Sequence, residues 1–270
     1  MAGAQDKSRR PLRSEIAWST SDRIGVLGHD LTRELMGSIN LGEMAFLEVQ
    51  RRLPDACESR MFNALLVTLV EHGIVPSTLA ARLTYDGAPE AIQGAVAAGL
   101  LGLGSVFVGS TELVARMLLE GLPDPRADVA LHRVADRIVS EHRAAGRHLP
   151  GFGHPVHKPV DPRTTRLFEI ARETGFSGRY VELILLVQET AQAASGKKLT
   201  LNATGAIGAI CCEMGLPWTV CRGLGVMARA VGLVGHILEE SRNPIGLEIW
   251  HRVEEEASQD VRGKLREDSA

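Results

Sequence analysis

The chain has 270 residues, enough for one large domain or two modest ones around a buried core. Aromatic residues make up only 4%, while Ala, Leu, Gly and Val abound, a composition that suits close-packed helices better than a β-sandwich. A formal charge of −3 with scattered Lys and Arg leaves no basic stripe for nucleic acid or anionic lipid.

Cys57, Cys211, Cys212 and Cys221 have apolar neighbours and no C-x-x-C spacing, which argues against zinc or disulfide frameworks and predicts buried thiols. The N-terminus is polar and basic, and no uninterrupted apolar run reaches membrane-spanning length. The expectation is a soluble, cytoplasmic, all-α protein with no metal or redox cofactor and no nucleic-acid or membrane partner.

In chain order, residues 1–14 read as a polar arm, and 22–36 and 41–52 as helices from their mixed three- and four-residue apolar spacing. The segment from Met61 to His72 is apolar nearly all round, as in the middle of a bundle, and Gly73 ends it. His72 then falls at a helix C-terminus, where the dipole favours a protonated imidazole. Residues 88–101 form a small-residue helix able to meet a second subunit closely. Gly102 to Gly109 is glycine-rich but lacks the spacing of a nucleotide-binding loop. Ser110 can cap a helix reaching Glu120, and residues 127–146 form a charged amphipathic helix.

The run from Leu149 to Arg163, LPGFGHPVHKPVDPR, carries the densest chemical content. Gly151 and Gly153 allow close backbone approach or positive φ, and four prolines stiffen the loop that presents His154. Asp161 is a good N-cap, Pro162 suits the first helical position, and Gly175 stops the helix. Arg163 therefore sits in the first turn, beside His154. An imidazole and a guanidinium in fixed relation suit a small carboxylate-bearing substrate. His154 and His157 have no evident third ligand in sequence, so no metal site is expected.

Further on, 180–194 is a helix, and the glycine-rich run containing Asn202 and Thr204 leads into an apolar segment ending at Met214. Residues 217–240 contain Arg229 on an apolar face, where a buried charge must meet an anion or an acidic side chain. From Glu254 the tail is charged.

The 149–163 loop resembles the signature of the citrate synthase family, which includes citryl-CoA lyases and the C-terminal part of ATP-citrate lyase. Similar family segments occur at Glu71-His72, at Asn202 to Gly205 and from Ala228 to Gly232. The resemblance implies a citrate synthase-like two-domain helical fold. Residues 1–109 and 217–270 would form a large domain, and 110–216 an inserted small one, in a homodimer or higher homo-oligomer.

It also implies roles. His154 would be the proton-transfer group, and His72, Arg163, Arg229 and Asn202 would bind substrate, with Arg242 reaching a neighbouring site. Gly151, Phe152, Gly153 and Lys158 would meet coenzyme A. Two positions depart from the family: Phe107 stands where synthases place a substrate-binding histidine, and Thr204 where the family aspartate transfers a proton. A threonine hydroxyl donates hydrogen bonds but is not a carboxylate base near neutral pH.

The resemblance thus implies citryl-CoA lyase-like cleavage of a CoA thioester to acetyl-CoA and oxaloacetate or a related 2-oxo acid. The alternatives are synthase-like condensation and a catalytically inactive relative that binds CoA and carboxylate.

Overall fold

A computed structural model describes residues 12–104, 108–154 and 157–267. The chain divides into two compact units, 1–62 and 63–270.

In the first unit, β1 (Ala17–Ser19), β2 (Ile24–Val26) and β3 (His29–Asp30) form an antiparallel meander. The helix expected over 22–36 is therefore not there. Leu27 and Gly28 both have positive φ, 49° and 91°, and this tight two-residue turn reverses the chain between β2 and β3. A π-helical turn follows at Leu31–Leu35, its start fixed by Asp30, which accepts from the backbone N–H groups of Thr32 and Arg33. Helix α1 (Leu41–Gln50) begins with a reciprocal cap in which Asn40 and Glu43 each bond the other's backbone N–H. Val26, Leu35 and Leu47 are the buried centre of this unit.

Helix α2 (Ala56–Val70) runs across the unit boundary, ending two residues short of the expected His72. The second unit continues with α3 (Pro76–Gly87), α4 (Ile92–Leu101), α5 (Gly109–Gly121), α6 (Leu131–Ala144) and α7 (Pro162–Thr174). It ends with α8 (Arg179–Ser195), α9 (Ala203–Glu213), a 3-10 turn at Trp218–Val220, α10 (Cys221–Glu240) and α11 (Gly246–Glu267). The protein is mostly helical, as its composition predicts. Helices α3, α4, α10 and α11 pack as one group, and α5 to α9 as another, with α10 also meeting α5. Almost every residue of α9 is buried, which its run of Ala, Gly, Ile and Cys permits.

The stretch Trp218–Glu240 is long and apolar enough, by length and composition, to cross a membrane. Its composition is equally that of a core helix: Leu233 and Ile237 are packed with Ala81 and Ala95, and Arg229, His236 and Glu240 are buried along its length.

A polar network ties α10 to α2 and α3. Arg82, 1% exposed, pairs with Glu240 at 2.5 Å and with Glu239. Its Nη2 also donates to His236 Nδ1 at 2.8 Å. That donor fixes the tautomer: the ring proton sits on Nε2 and is given to Glu71 Oε1 at 2.9 Å. Glu71 in turn accepts from the Gly73 N–H at 3.0 Å. The residue on either side of His72 is therefore held, and the imidazole is displayed from a braced turn.

Candidate active site

The loop bearing His154 is docked by backbone pairing. Gly153 N–H donates to Thr200 O at 2.7 Å, Asn202 N–H to Gly151 O at 3.0 Å, and Phe152 forms an antiparallel bridge with Leu201. The Asn202 amide completes the dock by donating to Gly153 O at 2.8 Å. Gly151 adopts φ 85°, and a Cβ there would lie 2.8 Å from Gly205 Cα, while one on Gly205 would lie 2.7 Å from Gly151 O. Two glycines facing each other let the loop sit on the first turn of α9.

Asp161, fully buried, caps α7 as its sequence position predicts. Its carboxylate grips Arg163 at 3.0 Å to Nε and 2.8 Å to Nη2, and accepts from the Ala203 N–H at 3.1 Å. Against burial, which pushes it up, the Arg163 side chain holds the Asp161 carboxyl below its ordinary pKa. Arg163 is thus a fixed cation, aimed from α7 toward His154.

Between these elements lies a cavity of about 420 Å³. His72, Ser77, Ser110, Gly153, His154, Arg163, Asn202, Thr204 and Arg229 line it, with Leu69, Leu103 and Val108 among its apolar wall. The structure therefore brings His72, His154, Arg163, Asn202, Thr204 and Arg229 together from four separate parts of the sequence. Gly151 is buried beneath the loop, Lys158 is exposed, and Arg242 is exposed in the turn after α10; none of these lines the cavity. Phe107 lies outside the described residues.

The hydrogen bonds at His154 define its chemistry. Its Nδ1 faces the His157 backbone N–H at 2.9 Å. Arg163 Nη2, which can only donate, lies 3.2 Å from its Nε2, so donors face both ring nitrogens and compete for the one lone pair of the neutral ring. A hydroxyl seated between Arg163 Nη2 and His154 Nε2 can accept from the guanidinium and give its proton to the imidazole. Burial first, then the charges of His157 and Arg163, lower the His154 pKa. Partial burial and Arg163 do the same at His72. This direction is opposite to the one its place at a helix end suggests.

Arg229 is 7% exposed and donates to Leu69 O at 3.3 Å. Among the described residues it forms no ion pair; burial lowers its pKa, against the more distant charge of Glu71, which raises it. The anion that a buried guanidinium requires is thus to be sought in the cavity.

Ligating atoms of His72, His154 and His157 lie within 4.8 Å of one another, so the structure supplies the third histidine that the sequence spacing did not show. A tetrahedral zinc site needs ring nitrogens about 2 Å from the ion. Here one nitrogen of His154 is engaged by a backbone N–H, and Arg163 and Arg229 add positive charge to the surroundings. That field favours an anion over a dication.

Sequence reasoning missed Ser77 and Ser110. Ser77 is 3% exposed and its Oγ has no hydrogen-bond partner among the described residues. Both serines follow a glycine-containing turn and open a helix; Ser110 read as a cap, and neither position showed in sequence that it lies on the cavity wall.

This is a helical protein with a cationic, hydroxyl-lined cavity suited to a small polycarboxylate. The family model described as Citrate synthase, C-terminal domain, matches residues 35–249, and the chain belongs to the citrate synthase family. It is similar to the structure of citryl-CoA lyase from Hydrogenobacter thermophilus, with 35% identity and a TM-score of 0.77 over 86% of this chain and 87% of that one. ATP citrate lyase from Methanothrix soehngenii, solved with citrate and coenzyme A, shares the fold at a TM-score of 0.70 and 22% identity, over 87% of this chain and 40% of that one.

Among curated proteins, a probable ATP-citrate synthase of Dictyostelium discoideum is 25% identical over 89% of this chain and 40% of its own length. Citrate synthase 2 of Bacillus subtilis is 25% identical over 70% of this chain and 49% of its own. The chain thus spans less than half the length of these curated relatives.

Proposed function

We propose that the chain is a citryl-CoA lyase-like enzyme, cleaving (S)-citryl-CoA or a related 3-hydroxyacyl-CoA to acetyl-CoA and oxaloacetate or a related 2-oxo acid. The observation that carries this reading is the convergence of His154, Arg163, Arg229 and His72 on one cavity. Similarity to a citryl-CoA lyase over most of both chains supports it.

In this mechanism Arg163, Arg229 and His72 hold the carboxylates of the oxaloacetate portion. The tertiary hydroxyl occupies the acceptor position between His154 and Arg163. His154 takes the hydroxyl proton as the carbon-carbon bond breaks. Asn202 and Thr204 border the thioester, whose enolate is held by preorganised donors.

Coenzyme A finds support in a neighbouring groove of about 370 Å³, whose floor includes Leu149, Phe152 and Leu199 and whose rim carries Arg143, Arg147, His148 and Lys197. Phe152 lines this groove and Gly153 the cavity, so the same loop borders both. Lys158, exposed on the same loop, is available to a CoA phosphate. A screen of CoA thioesters read by mass spectrometry, alongside calorimetry with CoA and oxaloacetate, tests the assignment. Cleavage of citryl-CoA supports it. Net condensation favours the synthase alternative, and binding of both ligands without turnover favours an inactive relative.

A domain division at 110–216 is supported by the mutual packing of α5 to α9. A homodimer is supported by the exposed stripe Met227, Val231, Val234 and Leu238, whose spacing places them on one face of α10. Arg242, close beyond that stripe, would then serve the neighbouring site. Val231→Glu is expected to shift the protein from dimer to monomer in analytical ultracentrifugation; an unchanged mass contradicts the assignment. Free thiols at all four cysteines suit a cytoplasmic location.

The lowered pKa of His154 sets a pH dependence. As a base it must be deprotonated, so the acidic limb of kcat is expected below the ordinary value of 6.5. His157→Asn removes a charge that lowers the His154 pKa, and the limb should move upward. A limb that stays in place or moves down contradicts this.

A further inference from the structure

Thr204 stands where the family carries its proton-transferring aspartate, and the structure shows what accompanies that change. Ser110, in the first turn of α5, donates through Oγ to Thr204 Oγ1 at 2.9 Å. Thr204 Oγ1 donates to Asn202 Oδ1 at 2.7 Å, and that oxygen also accepts from the Gly205 N–H at 3.1 Å. The result is a directed chain of hydroxyls on the cavity wall, anchored in the cap of α9.

None of the described residues lining the cavity carries a carboxyl group. The nearby carboxylates among them are committed elsewhere: Asp161 to Arg163 and the Ala203 N–H, Glu71 to His236 and Gly73, and Glu112 to Arg222 at 2.8 Å. The undescribed stretches flanking cavity residues, 105–107 and 155–156, are Ser, Val, Phe, Pro and Val.

We propose that Ser110 is a further catalytic residue, its hydroxyl turning from Thr204 to donate to the thioester oxygen on which enolate charge develops, and that the cavity offers no carboxylate base for the acetyl methyl group. The inference rests on the lyase reading. In cleavage, His154 removes the hydroxyl proton, the carbon-carbon bond breaks, its electron pair passes into the thioester enolate, and the alkoxide becomes the ketone. The Ser110 hydroxyl, turned from Thr204, donates to the enolate oxygen, while Thr204 stays bonded to Asn202 Oδ1.

The methylene carbon then takes a proton from water, and the hydroxide so formed takes the proton held on His154, so atoms and charge balance. The reverse step, removal of a methyl proton, falls by the same route to hydroxide, which is scarce near neutral pH, and not to a Ser or Thr hydroxyl, which is not ionised there, so methyl exchange is expected to be slow. The three imidazoles are grouped about Arg163, on the side that holds carboxylate.

The test uses the full chain in D₂O. Cleavage of citryl-CoA is timed, and separately acetyl-CoA, with and without oxaloacetate, is followed by NMR for loss of methyl protons. The expected result is cleavage by the wild type with no enzyme-dependent methyl exchange, and gain of exchange in Thr204→Asp. Ser110→Ala is expected to lower kcat for cleavage by ~10²-fold, the scale of one lost oxyanion donor. KM and calorimetric CoA affinity should change less than about threefold, and Ser110→Thr should restore most of the rate. Methyl exchange by the wild type at a rate near kcat, or an unchanged kcat in Ser110→Ala, overturns this inference and leaves the lyase reading standing. Absence of cleavage by the wild type overturns both.

Discussion

His154→Ala is expected to lower kcat for thioester cleavage by ~10²- to 10⁴-fold, the span assigned to a positioned acid-base group. CoA affinity should change little, because the groove rimmed by Arg143, Arg147 and Lys197 is untouched. The size of the effect follows from how completely this imidazole is arranged. The His157 backbone N–H meets its Nδ1, Arg163 Nη2 stands 3.2 Å from its Nε2, and the Gly151–Gly205 approach fixes the loop beneath it. Steady-state kinetics on the variant, with calorimetry as a check of folding and binding, decides the matter, and a rate within threefold of wild type contradicts the role.

Arg82→Met is expected to lower the unfolding free energy by about 3–5 kcal/mol, the range seen when one partner of a buried ion pair is removed. Glu240 has a fully buried side chain. Against burial, which pushes its pKa up, the Gly246 N–H and the Arg82 guanidinium hold it down. Without Arg82 that carboxylate keeps only the Ile245 and Gly246 backbone donors, at 2.6 and 2.7 Å. Adding Glu240→Gln should recover part of the loss by removing the stranded charge. Urea denaturation of the two variants measures both effects. A cost below 1 kcal/mol for Arg82→Met shows that water reaches the site and that the network is not a structural anchor.

The sequence was most informative where local rules and tertiary structure agree. Asp161, Pro162 and Gly175 mark α7 at both ends, and the structure begins and stops the helix at those signals. The helical character of the second unit followed from small apolar residues, which α9 buries almost entirely. Between Asp22 and Met36 the same spacing misled, because the apolar positions of short strands joined by a two-residue turn imitate a helical stripe. The deciding feature is positive φ at Leu27 and Gly28, and a leucine does not advertise it.

At the site, the imidazole of His154 and the guanidinium of Arg163 were legible because one loop and one helix start contain both. Arg229 was legible as a charge on an apolar face. Ser110 was not, since its meaning comes from Thr204, 94 positions away. The sequence placed His72 near a helix end but does not show its burial or that Arg163 and Arg229 share its surroundings, all of which lower its pKa.

The central claim is that one small carboxylate-bearing molecule touches His154, Arg163, Arg229 and His72 at once. A crystal structure of the wild-type protein with oxaloacetate tests it most directly. The account predicts the keto oxygen between His154 Nε2 and Arg163 Nη2, with carboxylates on Arg229 and His72. Oxaloacetate bound elsewhere, or held here without Arg229, contradicts it.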